Sequence, residues 1–258
     1  MKAIITGASS GLGRDMAHIL SERGYDIIAV ARRREKLEEL KKELKTDVEI
    51  LCLDLSKVED CVVLGKRAVE ADVFINNAGF GLFGDFDDLT LEEELQMIDT
   101  NVRAVHILTK LVAKAFKEKN SGYILNVASL AAFFAGPLFG GYYATKSYVM
   151  RYSQAVREEL KRSGSNVSIS VLCPGPVHTE FEKVAKVNFG TGKEKTIVKI
   201  VLESRDVAEY AIDKMFKSKE LIIPGLLMKM AVQIRRIIPE KLLTKIVYLV
   251  QSKKCVIK

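Results

Sequence analysis

The chain has 258 residues, 28% of them charged and 48% hydrophobic, and a net charge of +7. That length suits one large α/β domain with a sizeable core, and the composition is that of a soluble, globular chain. From residue 221 onward eight Lys and Arg face Glu240 alone, which accounts for the whole net charge and excludes a nucleic-acid-binding surface spread over the protein.

In chain order, the first strand is predicted at 3–6 and runs directly into Thr6-Gly7-Ala8-Ser9-Ser10-Gly11-Leu12-Gly13, followed by a helix over 12–23. Glycines between a strand and a helix allow a tight turn and close approach of a pyrophosphate to a helix N-terminus. The spacing is Gly-x-x-x-Gly-x-Gly rather than Gly-x-Gly-x-x-Gly. A second strand at 26–31 ends in Ala31 and three arginines, Arg32, Arg33 and Arg34. An NAD site has an acid in this region for the ribose 2′-hydroxyl, whereas guanidinium matches a 2′-phosphate. The pattern favours NADP(H), with Arg32 the first choice of ligand and Arg33 the second.

Strands then follow at 48–53, 73–76, 123–128, 167–173 and 221–223, between helices at 35–45, 57–70, 91–119, 142–162 and 205–216. Strand and helix alternating this way predict a Rossmann-type α/β fold, a doubly wound parallel seven-stranded sheet with helices on both faces. Ser129 closes the strand at 123–128, at the sheet end where open α/β folds hold ligands. Tyr142 and Lys146 are four apart, hence on one helix face. An ammonium there is expected to lower the phenol pKa and ready Tyr142 for proton transfer. Tyr143 has Ser147 four residues on, so the pairing selects Tyr142 and leaves Tyr143 as a packing or pocket-wall residue.

Beyond Pro176 the polar, Lys-rich stretch 179–204 reads as a lid. The first unit thus spans 1–224, and 225–258 forms a basic amphipathic helical extension. There Leu226, Leu227, Met230 and Ile234, then Leu242, Leu243, Ile246, Val247 and Val250, recur at helical spacing about Pro239. Packing on the substrate side or on another subunit is the expected role. Peripheral contact with an anionic membrane is the alternative.

Cys52, Cys61, Cys173 and Cys255 are scattered, and three fall within predicted elements, so reduced thiols are expected rather than disulfides or metal ligands. The three histidines show no metal spacing. A strand within the first few residues is expected to leave no room for a signal peptide, and no apolar run approaches the roughly 18 residues of a membrane span. A cytoplasmic location is expected.

These motifs together resemble the short-chain dehydrogenase/reductase family, over nearly the whole chain to about Ile223. The resemblance implies that Gly7, Ser9, Ser10, Gly11, Leu12 and Gly13 form the cofactor loop and that Asp54 and Leu55 meet the adenine. It implies that Asn77, within Asn76-Asn77-Ala78-Gly79, lies near the cofactor ribose, and that Asn101 holds a water of the proton relay. Ser129, Tyr142 and Lys146 match the catalytic trio, with the Ser thirteen residues before the Tyr. Pro174, Gly175, Val177 and Thr179 match the nicotinamide-side segment, and His178 is expected to point away. The implied activity is that of an NADPH-dependent keto reductase or alcohol dehydrogenase acting on an apolar ketone or alcohol, as a homodimer or homotetramer. Phe80, Leu82, Phe83, Phe133, Phe134, Leu138, Phe139, Phe181 and Phe189 are the apolar residues expected to face the substrate. A non-catalytic NADPH-binding sensor or scaffold is the alternative, opposed by the intact Asn101, Ser129, Tyr142 and Lys146.

Overall fold

The computed structural model describes residues 1–185, 187–188, 201–253 and 255–256. Its elements run β1 (Lys2–Thr6), α1 (Gly11–Glu22), β2 (Asp26–Ala31), α2 (Arg34–Glu43), β3 (Val48–Cys52), α3 (Val58–Lys66), β4 (Val73–Asn76), α4 (Leu91–Ile98), α5 (Ala104–Glu118), β5 (Tyr123–Val127), α6 (Gly140–Arg162) and β6 (Ser168–Leu172). Then come α7 (Phe181–Val184), β7 (Val187–Asn188), α8 (Ser204–Phe216), β8 (Leu221–Ile222), α9 (Leu226–Ile234), α10 (Glu240–Gln251) and β9 (Cys255–Val256).

Seven strands form one parallel sheet in the order β3-β2-β1-β4-β5-β6-β8, as the alternation predicts. Side chains alternate across it. Ala3 and Ile5 of β1 pack with Met16 and Leu20 of α1 and with Ala211 and Met215 of α8. Ile4, between them in sequence, joins Leu64 of α3 and Leu108 and Phe116 of α5 on the other face. Between β1 and β4 the strand order reverses, and loops from both halves diverge there to leave a crevice at the carboxyl ends of the strands.

Three features depart from the sequence expectation. The helix expected over 91–119 is interrupted by a π turn at Asp99–Arg103. Asn101 lies within it, and its amide bonds the backbone of Phe80 instead of solvent, drawing the wide turn toward the sheet. Second, a small antiparallel pair joins β7 to β9, a pairing between segments too far apart in sequence to anticipate. Third, the lid expected over 179–204 is described only at its ends, and 189–200, with Phe189, lie outside the described residues.

Candidate active site

The turn from β1 to α1 is shaped by its glycines. Gly7 has φ +67°, and a Cβ on Gly13 would collide with the Gly7 carbonyl and the Asn77 amide. Asn77 Nδ2 donates to the carbonyls of Thr6 (3.0 Å) and Gly7 (3.3 Å), so its side chain braces this turn from β4. Ser10 does not cap α1, and no acid occupies the first helical turn, which leaves its backbone N–H groups able to meet an anion.

Arg33 reaches over the turn. Its guanidinium donates to the hydroxyls of Ser9 (3.1 Å) and Ser10 (3.2 Å) and pairs with Glu180 at 2.9 Å. Arg32 stands beside Asp54. Burial opposes ionisation of that carboxyl, but two hydrogen bonds from Ser56 and the charge of Arg32 hold it below the usual carboxylate range. Both arginines line the same cavity, yet Arg33, the second choice from sequence, carries the serine hydroxyls with it.

Ser129 follows β5 directly, and Ala131 N donates to its hydroxyl at 3.1 Å. Ser129 and Tyr142 line the same stretch of the cavity, and the Ser129 side chain acts on the Tyr142 phenol. Lys146, one turn further along α6, donates to the Val127 carbonyl at 2.9 Å and lies 5.8 Å from the centre of the Tyr142 ring. The expected lowering of the Tyr142 pKa by Lys146 does not occur. Burial raises the phenol well above its ordinary range, and the Ser129 side chain offsets only part of that. The same burial pushes Lys146 down to about 8. At 8% and 5% exposure neither charged form has much water to stabilise it, so desolvation outweighs their proximity.

Asn101 is fully buried behind these residues. Nδ2 donates to Phe80 O (2.7 Å) and Thr145 Oγ1 (3.1 Å), and Oδ1 accepts from Phe80 N (3.0 Å). A Cβ on Gly79 would sit 2.9 Å from Asn101 Oδ1 and 3.2 Å from Lys146 Nζ, so only glycine leaves that space open. Sequence reasoning missed a buried amide cluster beneath the site. Asn76 Nδ2 donates to Asn126 Oδ1 at 2.8 Å, and Asn126 Nδ2 to Thr109 Oγ1 (3.1 Å) and Ser153 Oγ (2.7 Å). It ties the ends of β4 and β5 to α5 and α6, fixing the strand ends from which Asn77 and Ser129 extend.

One cavity of about 840 Å³ connects these groups. Gly7, Ser9, Ser10, Gly11, Leu12, Arg32, Arg33, Asp54 and Leu55 line one end. Asn77, Ala78, Gly79, Ser129, Tyr142 and Lys146 line the middle, and Pro174, Gly175, Val177 and Thr179 lie opposite. Of the anticipated catalytic and cofactor-binding residues only Gly13 and Asn101 do not face it. His178 is exposed and outside it.

The far end is apolar. Phe80, Phe134, Phe139 and Phe181 face the cavity, whereas Leu82 and Phe83 pack behind it and Phe133 packs against Arg235. Leu227, Met228 and Ala231 of α9 and Ile246, Val247 and Val250 of α10 complete the wall, so the extension packs over the apolar end of the cavity. Gln251, which the sequence did not single out, is 2% exposed. Its Nε2 donates to the Tyr143 hydroxyl at 2.5 Å, and among the described residues Oε1 has no partner. The one available signal was Tyr143 beside Tyr142.

A family model for short chain dehydrogenases matches residues 1–188. The chain belongs to the short-chain dehydrogenase/reductase family. It is an oxidoreductase of the kind that acts on alcohol and keto groups. An oxidoreductase of Staphylococcus saprophyticus is 34% identical over 183 residues, covering 69% of this chain and 74% of that protein. The NADP-dependent 3-hydroxy acid dehydrogenase of Escherichia coli O157:H7 is 33% identical over 218 residues, 81% of this chain and 86% of the relative. Among solved structures, a short-chain dehydrogenase from Sphingobium yanoikuyae in complex with NADPH superposes with a TM-score of 0.79 at 28% identity, covering 91% of this chain and 93% of that one. The match to the family model ends at α7 and β7, so α9 and α10, which wall the apolar end of the cavity in this short-chain dehydrogenase, lie beyond it.

Proposed function

We propose that the chain is an NADPH-dependent reductase of apolar ketones. The observation that carries this reading is one cavity holding a glycine-turned helix N-terminus and Arg33 at one end, Ser129, Tyr142 and Lys146 in the middle, and aromatic and aliphatic walls at the other.

The residues present fit a nicotinamide dinucleotide. The Gly7–Gly13 turn and the N-terminus of α1 would hold the pyrophosphate. Arg33, with the Ser9 and Ser10 hydroxyls it already bonds, would meet a ribose 2′-phosphate, with Arg32 beside it. Asp54 and Leu55 would meet the adenine. Asn77, Ala78, Gly79, Lys146 and the 174–179 segment would hold the nicotinamide half. When bound, the nicotinamide supplies or accepts the hydride.

Ser129 and Tyr142 hold the substrate carbonyl oxygen by hydrogen bonds, which polarise the carbonyl and orient it. Tyr142 passes its proton to that oxygen. The phenol is protonated at neutral pH and so can act as the donor. Lys146 ties α6 to the end of β5 through Val127 and brings its charge to the ribose side. The Asn101 side chain is committed to Phe80 and Thr145, so its part in resupplying the proton runs through its backbone carbonyl. The wide turn there fits such a role, since single π turns inside α-helices are frequent at functional sites.

Tyr142→Phe tests this. Reduction of an apolar aryl ketone should fall by at least about 10²-fold, the contribution of general acid catalysis, while NADPH binding is unchanged. Full turnover in that variant would end the reading.

A further inference from the structure

We propose that α9 and α10 form a docking surface for an anionic lipid bilayer, with the mouth of the substrate cavity inside it. A helix that packs on a globular core carries one apolar stripe. These two carry a second, on the outer side. In α9, Met228 and Val232 are buried, while Leu226, Met230 and Ile234 follow one another four residues apart on the opposite side of the helix, in line with Ile237 beyond its end. In α10, Leu243 and Gln251 face inward, while Leu242, Ile246 and Leu249 make an outward row, with Val250 at its edge beside Leu243. Leu226 is 74% exposed, Ile237 82% and Leu249 60%, exposures at which apolar side chains cost free energy in water.

The charge beside these rows selects the occupant. Lys229 and Arg236 flank the α9 row, Lys241 and Lys245 the α10 row, and Lys253 follows. Among the described residues none of these forms an ion pair. Lysine is depleted from protein–protein interfaces, and an isologous contact would set this cationic face against itself. Outward apolar rows rimmed by Lys and Arg match the apolar and anionic layers of a bilayer surface. Among the described residues no helix is long and apolar enough to cross a membrane, so the hairpin lies on the surface.

Leu227, Ile246 and Val250 are both exposed and part of the cavity wall, so the docked face opens into the apolar end of the cavity. An apolar ketone dissolved in lipid would enter without crossing water. This delivery rests on the reductase reading; the docking does not.

The test is sedimentation of the full chain with vesicles of phosphatidylcholine alone or with phosphatidylserine added. The chain should pellet with the serine-lipid vesicles, less so in high salt, and stay in solution with the neutral ones. A double variant, Leu226→Asp with Ile237→Asp, should bind at least about tenfold more weakly, since two apolar anchors are lost. Neither residue lines the cavity, so NADPH binding should be unchanged. A chain that ignores anionic vesicles overturns the proposal, as does undiminished binding by the double variant. So does a wild-type dimer without vesicle binding that the double variant converts to a monomer in gel filtration; that would assign the face to a second copy. Vesicle binding without NADPH binding would leave the docking intact and remove the reductase reading.

Discussion

Lys146→Met should stabilise the folded chain while abolishing turnover. Burial moves the ammonium from an ordinary pKa of 10.5 to about 8, which at neutral pH corresponds to about 3 kcal/mol against the folded state. Methionine fills a similar volume without charge. Against that gain stands the hydrogen bond to the Val127 carbonyl, 2.9 Å long, whose loss costs roughly 1–3 kcal/mol. The balance favours the variant by up to about 2 kcal/mol, or a rise in Tm of up to roughly 4–8 °C for a chain of this size. The pH dependence is the sharper signature. Between pH 8 and 10.5 the unfolded chain holds this proton and the folded chain does not, so wild-type stability rises with pH there. The advantage of the variant should therefore be full below pH 8, shrink as pH rises and reverse by pH 10.5, where only the lost hydrogen bond remains. Thermal unfolding of both proteins across that range measures it. A variant several degrees less stable at pH 7, or an advantage that does not shrink as pH rises, would refute the argument that burial dominates this site.

Gly13→Ala brings a methyl group against the Gly7 carbonyl and the Asn77 amide, so unfolding should become about 1–3 kcal/mol easier and NADPH binding should be lost; thermal melts and fluorescence titration read the two effects. Cysteine alkylation should follow burial. Cys52 is exposed, whereas burial pushes the Cys61 thiol up to about 11 and the Cys173 thiol up to about 12. Iodoacetamide at pH 8 should label Cys52 and spare Cys61 and Cys173 until denaturant is added, as peptide mass spectrometry would show.

What the sequence made legible was short-range. Apolar runs such as Ile4–Ile5 and Ile27–Ile28, interleaved with helical patterns, specify the parallel sheet because strand period and crossover length leave few other folds. The i, i+4 spacing of Tyr142 and Lys146 and the position of Ser129 at a strand end survive translation into three dimensions because one helix and one strand carry them. What was not legible depended on distant partners. Asn101 meets Phe80 across 21 residues, and Gln251 meets Tyr143 across 108. The sign of the Tyr142 pKa shift depends on burial, which pair spacing does not encode. Arg32 and Arg33 differ by one position on the sequence, and only the path of the chain leaving β2 turns Arg33 over the Ser9–Ser10 turn. The outward stripes of α9 and α10 were visible as periodicity, but which stripe faced the core was not.

The central claim is that this oxidoreductase uses NADPH and that Arg33 selects it. Titration of the purified chain with NADPH and with NADH, followed by nicotinamide fluorescence, tests it most directly, with Arg33→Ala and Arg32→Ala alongside. The account predicts tighter binding of NADPH, an affinity loss of about 10- to 100-fold in Arg33→Ala from one lost charge-assisted contact, and little change for NADH. Equal binding of the two cofactors, or an Arg33→Ala variant that still prefers NADPH as strongly as the wild type, would contradict it.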